Sequence, residues 1–293
     1  MLSLIMILFL LIFLGSFFFV FILLLLWYLI TPFRETVRIE LNFLSGKNNT
    51  ATSAGLIFLI PPIFFCGTWK LATLIICGLF VGLLDDLHKT VYKYGMSEVV
   101  LFGSIFILSL FHTDNLYIPF LKIYSLPLLS IPVFMSSVHA TNIIDGINGL
   151  MVTQFIIIII TYLIISHTSF PFLLPLLYSL LGSLIAFYLW NRNGSVFSGN
   201  CGSMALGIIL AYISISTHTQ LLLPLTAITL VLDVLSVIFQ VASIQLFNKK
   251  IFKFSPVHHH FQLCGYSDKT IVIMFSIVTI IGSILFLFTF YYL

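Results

Sequence analysis

The chain has 293 residues, 60% hydrophobic and only 7% charged, with a formal net charge of +3. A water-soluble domain of this size needs far more polar surface, so the implied solvent is lipid, where helices satisfy their own backbone hydrogen bonds. So small a net charge gives no electrostatic footprint for nucleic acid, which is excluded as a partner. The 31 phenylalanines read as lipid-facing bulk. Cys66, Cys77, Cys201 and Cys264 lack CxxC spacing or a disulfide framework and read as free thiols.

A span needs roughly 20 apolar residues, fewer inside a bundle. In chain order, helices are expected near 3–30, 54–68, 71–84, 98–112, 116–135, 151–166, 170–190, 203–217, 221–246 and 271–292. The first is too long, and lacks the basic start and small-residue cleavage site of a signal peptide, so it is expected to be retained. Pro61-Pro62 interrupts the second, and only Lys70 and its neighbours separate it from the third. The fold class is thus an all-α integral membrane protein with about ten transmembrane helices, in one polytopic domain over 1–293. With both termini on the outer side, the inner loops hold Arg34, Arg38, Lys47, Lys89, Lys93, Arg192, Lys249, Lys250, Lys253 and Lys269. The outer side holds only Lys70 and Lys122, as the positive-inside rule requires. The same inner loops collect most of the other polar groups. One decorated face fits an active site on the cytoplasmic face better than a transporter, which needs a polar path through the midplane.

Four blocks carry the chemistry. Asp85-Asp86-Leu87-His88-Lys89 follows the apolar run 71–84. Adjacent carboxylates repel unless a cation sits beside them, and hard oxygens suit Mg²⁺, which takes one or two carboxylates plus substrate phosphates. Lys89 could hold a phosphate as a point charge. A solvated helix end would carry the same letters. In the second block Asn142, Asp145 and Asn148 recur every three residues, which a helical turn would stack on one face. Gly146 and Gly149 allow close approach there, though turns use the same residues. Next come Asn191 and Phe197-Ser198-Gly199-Asn200-Cys201-Gly202-Ser203, where glycines and a hydroxyl at a helix start can bind an anion or simply cap. Last, three consecutive imidazoles, His258, His259 and His260, point in different directions on a helix, which argues against one shared zinc. They suit hydrogen bonds to phosphate or sugar instead. Asp233, inside an apolar run, needs a partner that the sequence does not name.

These blocks, in this order over roughly residues 47 to 275, resemble the polyprenyl-phosphate hexosamine-1-phosphate transferases. The triple-His block and the stretch Leu232-Asp233-Val234-Leu235-Ser236 resemble the muramoyl-pentapeptide branch in particular. The resemblance implies a Mg²⁺-dependent transfer of phospho-MurNAc-pentapeptide from UDP-MurNAc-pentapeptide to undecaprenyl phosphate, giving lipid I and UMP. The setting implied is the bacterial inner (plasma) membrane, with the lipid bilayer as a partner; a homodimer is compatible with it. A sister reaction on a simpler UDP-N-acetylhexosamine, or a degenerate member that only binds polyprenyl phosphate, are the alternatives. Matched position by position, Asp85, Asp86, Asp145, Lys47 and Lys89 are implied as catalytic residues. Asn142, Asn191, Gly202, Ser203, His258, His259 and His260 are implied as substrate-binding, and Asp85, Asp86, Asp145 and Asn200 as metal ligands. Five features depart from the family pattern. Asn200 and Asn148 stand where aspartates are usual, and Leu101 where a lysine is expected. The segment Thr50-Ala51-Thr52-Ser53-Ala54-Gly55 lacks a proline and a glycine, and the stretch from Asn191 to Asn200 is one residue short. Each Asp-to-Asn change keeps an oxygen but removes a charge from the expected metal site.

Overall fold

The protein is described by a computed structural model covering residues 2–30, 34–35, 50–91, 116–118, 123–125 and 130–292. Helix α1 (Leu2–Ile30) leads to β1 (Arg34–Glu35), which pairs antiparallel with β2 (Thr50–Ala51). Two short helices follow, α2 (Gly55–Phe58) and α3 (Ile60–Phe64), then the long α4 (Trp69–Val91). The antiparallel strands β3 (Leu116–Ile118) and β4 (Ile123–Ser125) precede α5 (Ser130–Ile144), α6 (Leu150–Thr168) and α7 (Leu174–Asn191). The chain continues through α8 (Gly199–Ser216), α9 (Leu223–Thr226), α10 (Ile228–Phe247), α11 (Val257–Leu263) and α12 (Asp268–Tyr292).

Among the described residues six helices are long and apolar enough to cross a membrane: Leu4–Ile30, Leu150–Thr168, Pro171–Asn191, Gly199–Ser216, Ile228–Phe247 and Asp268–Tyr292. Their outward faces expose Leu8, Phe18, Phe239, Ile277 and Phe288, apolar surface on a scale that water does not tolerate and lipid does. The chain is an integral membrane protein.

Two expected elements differ. The helix expected over 116–135 is replaced by the β3–β4 pair and by α5, which starts only at Ser130. Pro119 and Pro127 deny a helix its backbone donors, and the Leu-Tyr-Ile and Ile-Tyr-Ser runs have strand composition. The helix expected to stop at residue 84 runs on to Val91, so Asp85 and Asp86 sit on a helix rather than in a loop. The interruption at Pro61-Pro62 is found where expected, as the break between α2 and α3, with both prolines in the first turn of α3. The expected helix over 98–112 lies outside the described residues.

Helix α8 is the centre of the bundle. Nearly all its residues are buried, against α4 on one side and α5 on the other. Small residues let the backbones meet: a Cβ on Gly55 would overlap the Cα of Gly202, and a Cβ on Gly82 would overlap the backbone of Cys201. Close approach of this kind drives packing where hydrophobic burial between helices is no gain. Hydrogen bonds fix which helix ends lie together. Trp27 near the end of α1 donates to the carbonyl of Thr52 (3.1 Å), at the same end as the C-termini of α4, α5 and α7 and the start of α8. At the other end Phe9 stacks on Tyr178 (5.2 Å), and Thr168 meets Tyr291 (3.2 Å). The starts of α1 and the close of α12 are therefore both remote from the motif-bearing end. Gly55→Ala is expected to force α2 off α8 and cost about 1–3 kcal/mol as overpacking, seen as a lower unfolding temperature in detergent. Gly15→Ala, with nothing within 4 Å of the new methyl group, should leave that temperature unchanged.

Candidate active site

The start of α8 is buried, and a helix start exposes backbone N–H groups and partial positive charge. Asp86 answers it from α4: one carboxylate oxygen accepts the N–H of Asn200 (2.9 Å), and the other accepts the N–H of Cys201 (3.4 Å) and the hydroxyl of Ser53 (3.0 Å). Gly199 opens the helix with φ +70°. A side chain there would be strained and would press on Asp86 Oδ2 (2.5 Å) and the Ser53 backbone. Ser53 itself holds φ +62° without being glycine. Its neighbours are zipped onto the approach to α8, with Phe197 N–H to Ala51 O (2.7 Å), Ala54 N–H to Phe197 O (3.0 Å) and Gly55 N–H to Ser198 O (3.0 Å). The Thr50–Gly55 block is thus one wall of the site.

Other acidic and amide groups gather at the same helix start. The Asn200 amide donates to Asp85, which is nearly fully buried, and its oxygen accepts from Asn142 (3.0 Å). Asn142 also donates to Ser203 (3.1 Å). Ser198 donates to Asp145. Asp85, Asp86, Asp145, Asn142, Asn200 and Ser203, drawn from α4, α5, the turn after α5 and α8, are therefore brought together within the first turn or so of one helix. Ser53 and Ser198 were not singled out from sequence; their signal was a hydroxyl beside each glycine-containing block.

The remaining residues are placed differently. Helix α5 ends at Ile144, so Asn142, Asp145 and Asn148 do not stack on one helical face as their spacing predicts. Gly149, at φ +82°, turns the chain into α6, and Asn148 lies against Gly194 instead. Asn191 is buried, its oxygen accepting from Gly149 N–H (2.7 Å) and its amide donating to Val196 O (3.0 Å). That amide ties the Asp145 turn to the loop entering α8. Gly202 serves the contact with Gly55. The side chains of Lys47 and Lys89, and position Leu101, lie outside the described residues.

The triple-His segment forms the short helix α11, in which the His258 and His259 rings lie side by side, centroids 4.2 Å apart, rather than pointing in different directions. A Cβ on Gly146 would overlap His258 Nε2 and press on His259 Nε2 (3.1 Å), so these two rings lie against the Asp145–Gly146 turn. His259 pairs with Gln262 (2.7 Å), which donates to Asp268 (2.7 Å). His260 faces away, its Nδ1 accepting from the N–H of Lys253 (3.1 Å) and its ring edge-on to Phe252.

Among the described residues no three or more His, Cys, Asp or Glu side chains converge as a metal cage. Mg²⁺ needs less, one or two carboxylates completed by substrate phosphates. Asp85, Asp145 and the amide oxygen of Asn200 have the donor chemistry for that role, while Asp86 is committed to three protein donors.

Fold and site together define a polytopic membrane protein with an acidic, amide-lined site at one end of its bundle. The profile of glycosyl transferase family 4 matches residues 68–218. A phospho-N-acetylmuramoyl-pentapeptide-transferase of Helicobacter hepaticus is 31% identical over 292 residues, covering 82% of this chain and 81% of that protein. Proteins of the same name from Latilactobacillus sakei and Lactobacillus gasseri are 32% and 34% identical, over 83% and 82% of this chain and 85% of each relative. The chain belongs to glycosyl transferase family 4, among the phospho-N-acetylmuramoyl-pentapeptide-transferases.

Asn200→Asp would set a second carboxylate against Asp85. Without divalent cation, repulsion should lower the unfolding temperature, and excess Mg²⁺ should restore it above wild type. No response in either condition would show that these two side chains do not meet.

Proposed function

We propose that the protein transfers phospho-MurNAc-pentapeptide from UDP-MurNAc-pentapeptide to undecaprenyl phosphate, giving lipid I and UMP. The work is done on the cytoplasmic face of the bacterial plasma membrane. Membership of a transferase family and relatives named for this activity support the coarse reading, a phosphoglycosyl transferase of peptidoglycan synthesis. The observation that carries the finer one is the meeting of Asp85, Asp86, Asp145 and Asn200 at the start of α8. On this reading an oxygen of the lipid phosphate forms a bond to the sugar-linked phosphorus, and the bond from that phosphorus to UMP breaks.

The residues divide the work by their contacts. Asp86 holds the helix start in place, and Ser53 holds Asp86. Asp145, half-buried and aligned by Ser198, is the carboxylate that faces the reacting phosphates. Asp85, Asp145 and Asn200 would hold Mg²⁺, which when bound neutralises charge building on the diphosphate, the usual dominant effect in phosphoryl transfer. Lys47 and Lys89 would add point charges to the phosphates, and His258 and His259 would meet the nucleotide-sugar. Orientation follows the cations. Arg192, Lys249, Lys250, Lys253 and Lys269 lie toward the site end of the bundle and Lys70 toward the other, a bias that supports a site on the inner side with the outward ends of α1 and α12 outside.

One observation favours a second reading, a member that binds polyprenyl phosphate without turnover: the Asn200 amide is already held between Asp85 and Asn142. Purified protein in detergent, given undecaprenyl phosphate, Mg²⁺ and labelled UDP-MurNAc-pentapeptide, is expected to release UMP and form lipid I. UDP-N-acetylglucosamine should not substitute for the nucleotide substrate. Asp145→Asn should lower turnover by about 100-fold or more. A wild-type protein that makes no lipid I while Asn200→Asp does would establish the binding-only reading.

A further inference from the structure

Asp233 lies on α10, a membrane-length helix, and is fully buried. A carboxylate there is costly unless a partner satisfies it. Both its oxygens are engaged by one residue of α11: Oδ1 accepts the backbone N–H of His258 (3.3 Å), and Oδ2 pairs with His258 Nδ1 (2.7 Å). One turn further along α10, Ser236 accepts the N–H of Val257 (2.9 Å). Helix α11 follows Pro256 and has no side-chain cap of its own. Its first two N–H groups are therefore capped by α10, from positions three apart on one helical face.

This capping has a chemical consequence at the ring. With Nδ1 held by the carboxylate, Nε2 is the ring's other polar atom. His258 is fully buried, and among the described residues Nε2 has no hydrogen-bond partner. A buried polar atom left so is costly, and such atoms commonly mark a place where a ligand completes the set. Nε2 lies against Gly146, next to Asp145.

We propose that Asp233 is a positioning residue that acts through His258, fixing the ring proton on Nδ1 and presenting Nε2 to the substrate beside the Asp145–Gly146 turn. A carboxylate behind an imidazole sets its tautomer and orientation, and removing such a partner typically costs 10–100-fold in activity. The catalytic part of this inference rests on the proposed transferase function; the tautomer does not.

Four proteins test it in lipid nanodiscs: wild type, Asp233→Asn, His258→Gln and the double variant. In ¹⁵N-histidine-labelled wild type, the resonance lost in His258→Gln should report a proton on Nδ1 and a bare Nε2. Asp233→Asn should lower kcat about 10–100-fold with KM for the UDP-sugar little changed, and should cost nothing further in the His258→Gln background. A ring protonated on Nε2 in wild type, or a full additional loss in the double variant, overturns the assignment. Should Asp233→Asn fail to fold, Gly146→Ala displaces Nε2 without touching the carboxylate and must itself lower kcat; full activity there also overturns it. If wild type forms no lipid I while the ring carries its proton on Nδ1, the transferase reading falls and the tautomer assignment stands.

Discussion

The site depends on the buried start of α8. A helix that begins in the middle of a bundle leaves several N–H groups with no intrahelical acceptor, in surroundings where water is scarce and their partial charge is weakly screened. Asp86 removes that cost by accepting from Asn200 and Cys201. The neighbouring carboxylates of Asp85 and Asp145 sit in the same positive field and are held by Asn200 and Ser198. Acidic groups that would repel one another on a bare surface are thereby gathered around one helix terminus. The oxygen-rich candidate site is thus a by-product of solving a backbone problem, and Gly199 is the residue that lets the carboxylate come close enough.

Around that point the packing works by close approach. Gly55 against Gly202 and Gly82 against Cys201 bring α2 and α4 onto α8 at backbone contact. These contacts set the distance from which Ser53 and Asp86 reach the helix start. A larger residue at any of them would move the site walls. Buried hydroxyls and amides add side-chain bonds between helices away from the site, as where Gln154 accepts from Thr279 (2.6 Å) and Thr226 meets Ser283 (3.1 Å).

Much of this was legible in the sequence, because membrane helices announce themselves by apolar runs and the polar blocks interrupt them. Those blocks could be read as one site since a bundle with most of its polar loops on one side has few ways to arrange them. What spacing could not supply was the local backbone. Gly146 and Gly149 break the helical face that the spacing of Asn142, Asp145 and Asn148 predicts. The sequence places Asp85 and Asp86 just past a span because charge usually ends one, but here the helix continues since a buried helix start receives the charge. Asn191 also ties a loop and Gly202 also makes a helix contact, geometry that composition does not reveal. The partner of Asp233 was invisible because His258 is 25 residues away and belongs to another element.

The walls of the site come from segments as far apart in the chain as Ala51 and His258. Synthesis delivers these pieces one after another, N-terminal first. Ser53, Asp86 and Asp145 can reach their places only once α8 has been threaded beside α4 and α5, and the imidazoles arrive later still, after α10. A nascent chain released before that point would already be a membrane-embedded bundle of helices, yet its candidate site would stand half built.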